Sequence, residues 1–273
     1  MSALTFTLKG GTPGSGTSEG RAAERLDLSP LLPSRLAKLG IGDIERIVIG
    51  TTRRPLHVGD VFAVTGDDAA EIRFDGGSER FDRLGQGLDG GMIRVDGPAG
   101  IHVGRRMTDG VLEIGGGVGV LAGSGMRGGV LSIAGDAGDD LAGPGFGEAA
   151  GMTGGTIRVS GSVGARAGDR MRRGTILVGG DCGPQAGCRM IAGSLLCKGR
   201  AGPGAGALMK RGTLLFSGGA EPLGPTFLDN GPQDLIVLRL MARAFPALLD
   251  GRPMRRLAGD TAVSSLGEVF LPV

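Results

Sequence analysis

The sequence predicts an all-β fold: a right-handed parallel β-helix of about seven 19-residue turns, with an N-terminal α/β cap and a C-terminal helical cap. Three observations carry this expectation. Glycine supplies 57 of the 273 residues, about three times its usual share, and it recurs periodically rather than at random. Met107, Met126, Met152, Met171, Met190 and Met209 open similar units at spacings of 19, 26, 19, 19 and 19, and Leu88 opens one more unit 19 residues upstream. Within each unit the sixth and eighth positions are apolar, as in Ile93/Val95, Leu112/Ile114 and Ile157/Val159. That alternation puts both side chains on one face of a short strand.

A unit this small cannot bury its own apolar face, but stacked copies can, each strand pairing with the next at ~4.8 Å. The usual crossover preference makes the coil right-handed. A helical reading fails, because glycines at positions four, ten, thirteen and seventeen would each cost about 1 kcal/mol in a helix interior. Those glycines mark turns, often with positive φ. Collagen is excluded because glycine does not fall at every third position. A second apolar point recurs at position sixteen, in Val103, Ala122, Ala167, Ala186 and Ala205. The 26-residue spacing is a regular unit plus seven residues inserted within Asp139 to Gly151, DDLAGPGFGEAAG.

Three regions follow in order. Residues 1–80 form the first cap: Ala3 to Leu8 alternates as a strand, Ser34 to Leu39 is helix-like, and Leu56 to Gly66 reads as strand, turn, strand. Residues 81–220 form the glycine-rich coil. Residues 221–273 form the second cap, where Leu235, Ile236, Leu238, Leu240, Met241 and Phe245 line the apolar side of a helix broken near Pro246. Both ends of a stacked rod need such covers, because unpaired strand edges invite aggregation.

Composition excludes several functions. Tryptophan and tyrosine are absent and only nine phenylalanines occur, too few to build stacking platforms for single-stranded nucleic acid. Thirty basic residues balance 28 acidic ones, which argues against an electrostatic DNA binder. The longest uncharged run, Ile114 to Met126, is 13 residues and glycine-rich, short of the ~20 apolar residues a membrane span needs. The N-terminus lacks a basic region ahead of an apolar core, and three cysteines make no disulfide framework. The expectation is a cytoplasmic chain with neither nucleic-acid nor membrane partners.

Motifs that imitate chemistry have plainer readings. Gly115 to Ala122, GGGVGVLA, resembles a dinucleotide fingerprint, but its glycines recur as turn residues in neighbouring units and no helix follows. Cys182, Cys188 and Cys197 are spaced six and nine apart, unlike the close pairs of zinc sites. Cys197 occupies an inward position and reads as a small core residue. No carboxylate pair, Ser-His-Asp set or HExxH pattern stands out, so neither a catalytic nor a metal-ligating residue is assigned.

Two surface features remain. Arg106, Arg170 and Arg189 share position nineteen, and Arg172 lies nearby at position two. Stacking aligns them into a band that can bind an anionic tail or an acidic partner, or simply face water and pair with Asp109 and Asp169. Position seven points outward and is polar in early turns (Arg94, Glu113, Ser132, Arg158). It becomes Leu177, Leu196 and Leu215 in the last three. Three aligned leucines mark a covered surface, an interface with either the C-terminal helix or another subunit.

The glycine-rich repeat with its Met/Gly/Thr-Ile-x-Val register resembles the C-terminal β-helix of glutamate synthases. The first cap narrows this: LDLSPLLP at Leu26 to Pro33, the Leu36 to Leu39 helix and LHVGDVF at Leu56 to Phe62 resemble the C subunit of formylmethanofuran dehydrogenases, over about residues 1–220. The family implies a multi-subunit complex that handles a formyl group on a furan-amine cofactor. It implies that catalysis, cofactor and metal belong to other subunits: an amidohydrolase-like one, a formyltransferase and a molybdoenzyme-like one. Four lysines against 26 arginines suit a GC-rich bacterium. There the related formyltransferase/hydrolase complex passes formyl from tetrahydromethanopterin to formate. The alternatives are a glutamate synthase-like structural domain and a free-standing carbohydrate-active β-helix protein; the latter would want aromatic and acidic residues lining a groove.

Overall fold

The chain is described by a computed structural model over residues 2–9, 24–50, 55–246, 248 and 252–273. Strands dominate. A first group comprises β1 (Ala3–Leu8), β2 (Leu26–Asp27), β3 (Phe62–Thr65), β4 (Asp68–Asp75) and β5 (Phe81–Asp82). The repeat supplies β6 (Asp89–Val95), β7 (Asp109–Ile114), β8 (Val130–Ile133), β9 (Thr156–Val159), β10 (Thr175–Val178), β11 (Ser194–Cys197) and β12 (Arg211–Phe216). After it come β13 (Leu228–Gln233), β14 (Met254–Gly259) and β15 (Leu266–Pro272). Helices are few and short: α1 (Pro33–Leu36), α2 (Ile41–Glu45), α3 (Val58–Val61) and α4 (Ile236–Ala244).

The 19-residue period becomes a parallel ladder. Ile93 pairs with Leu112, Leu112 with Leu131, Ile176 with Leu195 and Leu195 with Leu214, each one unit apart. Leu131 pairs with Ile157 across the insertion. A second parallel series runs alongside through single bridges: Ala99 to Val118, Ala137, Val163, Cys182, Ala201 and Ala220. These residues occupy position twelve, which the apolar pattern did not single out because each stands alone there, without the alternation that marks positions six and eight. Positions one, six, eight, twelve and sixteen all point into one continuous core, with Met107, Met126, Met152, Met171, Met190 and Met209 fully buried.

The glycine columns answer two different demands. At position four the backbone is left-handed, as at Gly174 with φ 104°. At position ten the φ is ordinary but the stack leaves no room: a Cβ on Gly135 would lie 2.6 Å from the Gly117 nitrogen of the turn before.

The ladder does not stop where the repeat does. β4 pairs in parallel with β6, and β1 with β4, so Ile72 and Phe74 continue the inward column under Ile93 and Val95. Antiparallel β3 closes that edge. Phe6, Phe62, Phe74 and Phe81 pack ring on ring beneath it, at centroid distances from 4.9 to 6.1 Å. Leu56 to Gly66 departs from the expected strand, turn, strand. Its first half is the helical turn α3, because the His57 N–H donates to Asp60 Oδ2 at 2.8 Å and caps it.

The far end also differs from expectation. The helical cap predicted there contains one nine-residue helix, α4, but more of its residues lie in the three strands β13, β14 and β15 than in that helix. β15 adds in parallel to β12, then β14 and β13 add antiparallel. The edge carbonyls and amides of β12 need strand partners that a helix cannot provide. Ile236 and Leu240, assigned to the apolar side of that helix, are 74% and 60% exposed, whereas Leu238 is 4% exposed. Ala247 and Leu249 of that stretch lie outside the described residues.

Candidate functional site

The inserted residues change one bond of the regular repeat. In ordinary turns the position-one amide donates three residues back, Met107 N–H to the Gly104 carbonyl at 3.2 Å. Met152 N–H instead donates to the Ala142 carbonyl at 2.8 Å. The bond closes over the extra residues and leaves the stack undisturbed.

Glu148 pins this loop. Its carboxylate accepts from Arg105 at 2.8 Å, from Arg106 Nε at 3.1 Å and from the Gly145 N–H at 3.0 Å. Burial alone would raise its pKa. The two guanidiniums and the amide overcome that and hold the carboxyl at about 2, since hydrogen bonds and opposite charges favour the ionised form.

Beside the loop lies a cleft of about 510 Å³, lined by Asp140, Phe146, Glu148, Arg166, Asp169, Arg170 and Arg189 among others. Arg166 forks onto Asp140 through two bonds of 2.7 Å. Arg189 forks onto Asp169 at 2.9 and 2.6 Å, and that carboxylate is buried. Such bidentate pairs fix geometry as well as charge.

Of the arginine candidates, the structure brings Arg170 and Arg189 to the cleft and ties Arg106 to it through Glu148. Arg172 is exposed and does not line it. Asp169 takes Arg189 as a partner, whereas Asp109 forms no ion pair among the described residues. Arg106, Arg170 and Arg189 hold left-handed backbone, with φ of 54°, 49° and 53°, a conformation uncommon outside glycine and asparagine. No carboxylate lies within ion-pair distance of Arg170 among the described residues.

Sequence reasoning passed over Phe146, Arg105 and Arg166. A signal for Phe146 was present: it is the only phenylalanine between Phe81 and Phe216 and sits between two glycines.

The leucine strip has a cover. Leu177, Leu196 and Leu215 align in register and are 7%, 1% and 0% exposed. They pack with Leu238, Met254 and Phe270, flanked by Leu235, Met241 and Phe245. The C-terminal segment of the same chain therefore buries them. Upstream on the same face, Arg94 and Glu113 form a cross-strand ion pair at 2.6 Å.

Two further buried carboxylates are structural staples. Asp82 accepts from Arg25 and from the Ile101 N–H, and Asp260 accepts from the Leu208 and Ala262 N–H groups. Burial first, then Asp169, pushes the Cys188 thiol up to about 12. A bond to Cys197, together with burial, holds the Cys182 thiol well above its usual range. Neither is a nucleophile, since the thiolate is the reactive form. Among the described residues no three His, Cys, Asp or Glu side chains gather as a metal site would require, and no helix is long and apolar enough to cross a membrane.

No family model matches the sequence. The chain is 49% identical over 260 residues to the C subunit of the formyltransferase/hydrolase complex Fhc of Methylorubrum extorquens, covering 93% of this chain and 97% of that one. Its structure superposes with a TM-score of 0.87 and 37% identity on a chain in the crystal structure of the Methylorubrum extorquens formyltransferase/hydrolase complex FhcABCD with methylofuran, over 98% of this chain and 99% of that one. With such identity along nearly its whole length, the chain belongs to the family of the C subunit of the formyltransferase/hydrolase complex.

Proposed function

We propose that this chain is the non-catalytic scaffold subunit of a bacterial formyltransferase/hydrolase complex. The complex carries a formyl group from tetrahydromethanopterin to formate by way of a furan-amine cofactor. Cofactor and metal are held by other subunits: an amidohydrolase-like subunit, a formyltransferase subunit and a molybdoenzyme-like subunit, all in the cytoplasm. In this reading the repeat is a closed right-handed parallel β-helix of seven 19-residue turns, with residues 1–80 and 221–273 as its end caps. Arg170 and Arg172, which no carboxylate engages among the described residues, are left to meet an anionic group.

The observation that supports this most is the fate of the buried carboxylates. Asp82 and Asp169 each engage a guanidinium, and Asp260 accepts two backbone amides. Catalytic acids and bases are instead left with a face open to the reacting group. The test is an assay of formyl hydrolysis and formyl transfer by the isolated, metal-loaded chain. No turnover above background is the expected result, and measurable turnover lost on substituting one of its own residues would overturn the reading.

A further inference from the structure

Phe146 is 92% exposed, while Phe6, Phe62, Phe74, Phe81, Phe216 and Phe270 are 0–1% exposed. It is presented by a loop whose anchor is firm. Gly145 is buried, and its N–H and the Arg105 guanidinium both bond Glu148. Gly147 follows with φ 77° and open space where a Cβ would sit. A flexible loop could fold an apolar ring back onto the coil, but this one holds it out in water. Aromatic and arginine side chains are enriched at protein interfaces, and here Phe146 and Arg170 border the same cleft.

We infer that the loop at 143–151 is a docking tooth for another protein subunit, with Phe146 entering an apolar pocket of the partner and Arg170 meeting a carboxylate at that pocket's rim. The inference rests on the complex proposed above. A projecting ring suits a protein partner, because small-molecule sites are concave and enclose their ligand. Charge selects the kind of partner. The carboxylates of the cleft, Asp140, Glu148 and Asp169, are each engaged by an arginine, so the group still open to a new contact is the cation Arg170. An acidic rim complements it and speeds encounter. Left-handed backbone at Arg170 fixes the direction from which its side chain leaves the turn.

The test uses the tagged chain co-expressed with the other three subunits. Phe146→Asp is expected to lower recovery of partners by about tenfold or more, and Arg170→Glu to lower it less and weaken its salt dependence. The isolated Phe146→Asp chain should melt with the parent, as surface substitutions do. Should it not, amide exchange of residues 144–149 decides, with protection expected in the parent complex relative to the isolated parent chain. Equal recovery with Phe146→Asp, or equal exchange in free and assembled parent, would overturn the docking tooth alone. A parent chain that recovers no partners would overturn the proposed function, and the tooth with it.

Discussion

Leu196→Asp is expected to destabilise the isolated chain by about 3–5 kcal/mol, the range for emptying a buried leucine site and placing a polar group in it. Leu196 is 1% exposed and lies between Leu177 and Leu215 in register. Removing its methyls opens a gap against Leu238 and Phe270. A carboxylate there would have to ionise without a partner or stay protonated at a cost. For a chain this long each kcal/mol lowers Tm by roughly 2–4 °C, so the drop should be on the order of 10 °C. Ser132→Asp is the control. It holds the equivalent outward position between Glu113 and Arg158 in a turn without that apolar cover, and should melt close to the parent. A thermal melt followed by far-ultraviolet circular dichroism compares the two. If Leu196→Asp melts with the parent, the C-terminal segment does not seal this face.

Gly174→Ala should cost nearly as much, by a different mechanism. Its φ of 104° is unfavourable for any side chain, and a Cβ would lie 2.8 Å from the Gly155 carbonyl oxygen and 2.7 Å from the Met152 methyl. The methionine can swing aside, but the backbone oxygen belongs to the turn below and cannot. Left-handed strain of about 1–2 kcal/mol and crowding of about 1–3 kcal/mol add to about 2–5 kcal/mol. Gly147→Ala separates the two effects, since Gly147 has φ 77° but nothing within 4 Å of its Cβ position. It should show the strain alone. Equal losses at both sites in denaturant titrations would mean that turn-to-turn contact is looser than the stack implies.

The repeat was legible because stacking imposes one period on every layer. A side chain inward in one turn is inward in the next, so Met107 to Met209 and the paired apolar positions announce the ladder from sequence. What was not legible follows from the same logic. At position twelve Ala99, Ala137 and Ala201 bridge between turns, yet a single small residue ahead of a turn glycine carries no alternation of its own. β14 reads MRRLAG and β13 contains Asn230-Gly231-Pro232. Their strand character comes from the edges they add to, β14 on β15 and β13 on β14, rather than from propensity. The face of α4 depended on where the helix begins. Leu235 is its N-cap, and the contact face runs through Leu238, Met241 and Phe245, leaving Ile236 and Leu240 outside.

The candidate site was half legible. Periodicity placed Arg106, Arg170 and Arg189 on one edge, but could not say which carboxylates would engage them. Glu148 reaches Arg105 and Arg106 from an insertion that belongs to no period. Phe146 was missed because a glycine-rich insertion reads as plain connecting loop, and its exposure is a property of the pinned geometry.

Native mass spectrometry of the tagged full-length chain, co-expressed with an amidohydrolase-like, a formyltransferase and a molybdoenzyme-like subunit from its own organism, tests the scaffold reading most directly. The predicted result is one assembly containing this chain and all three others. Omitting the chain should leave the remaining subunits as smaller, separate species. Assembly of those three at unchanged mass and stoichiometry without it would contradict the claim that this chain holds the complex together.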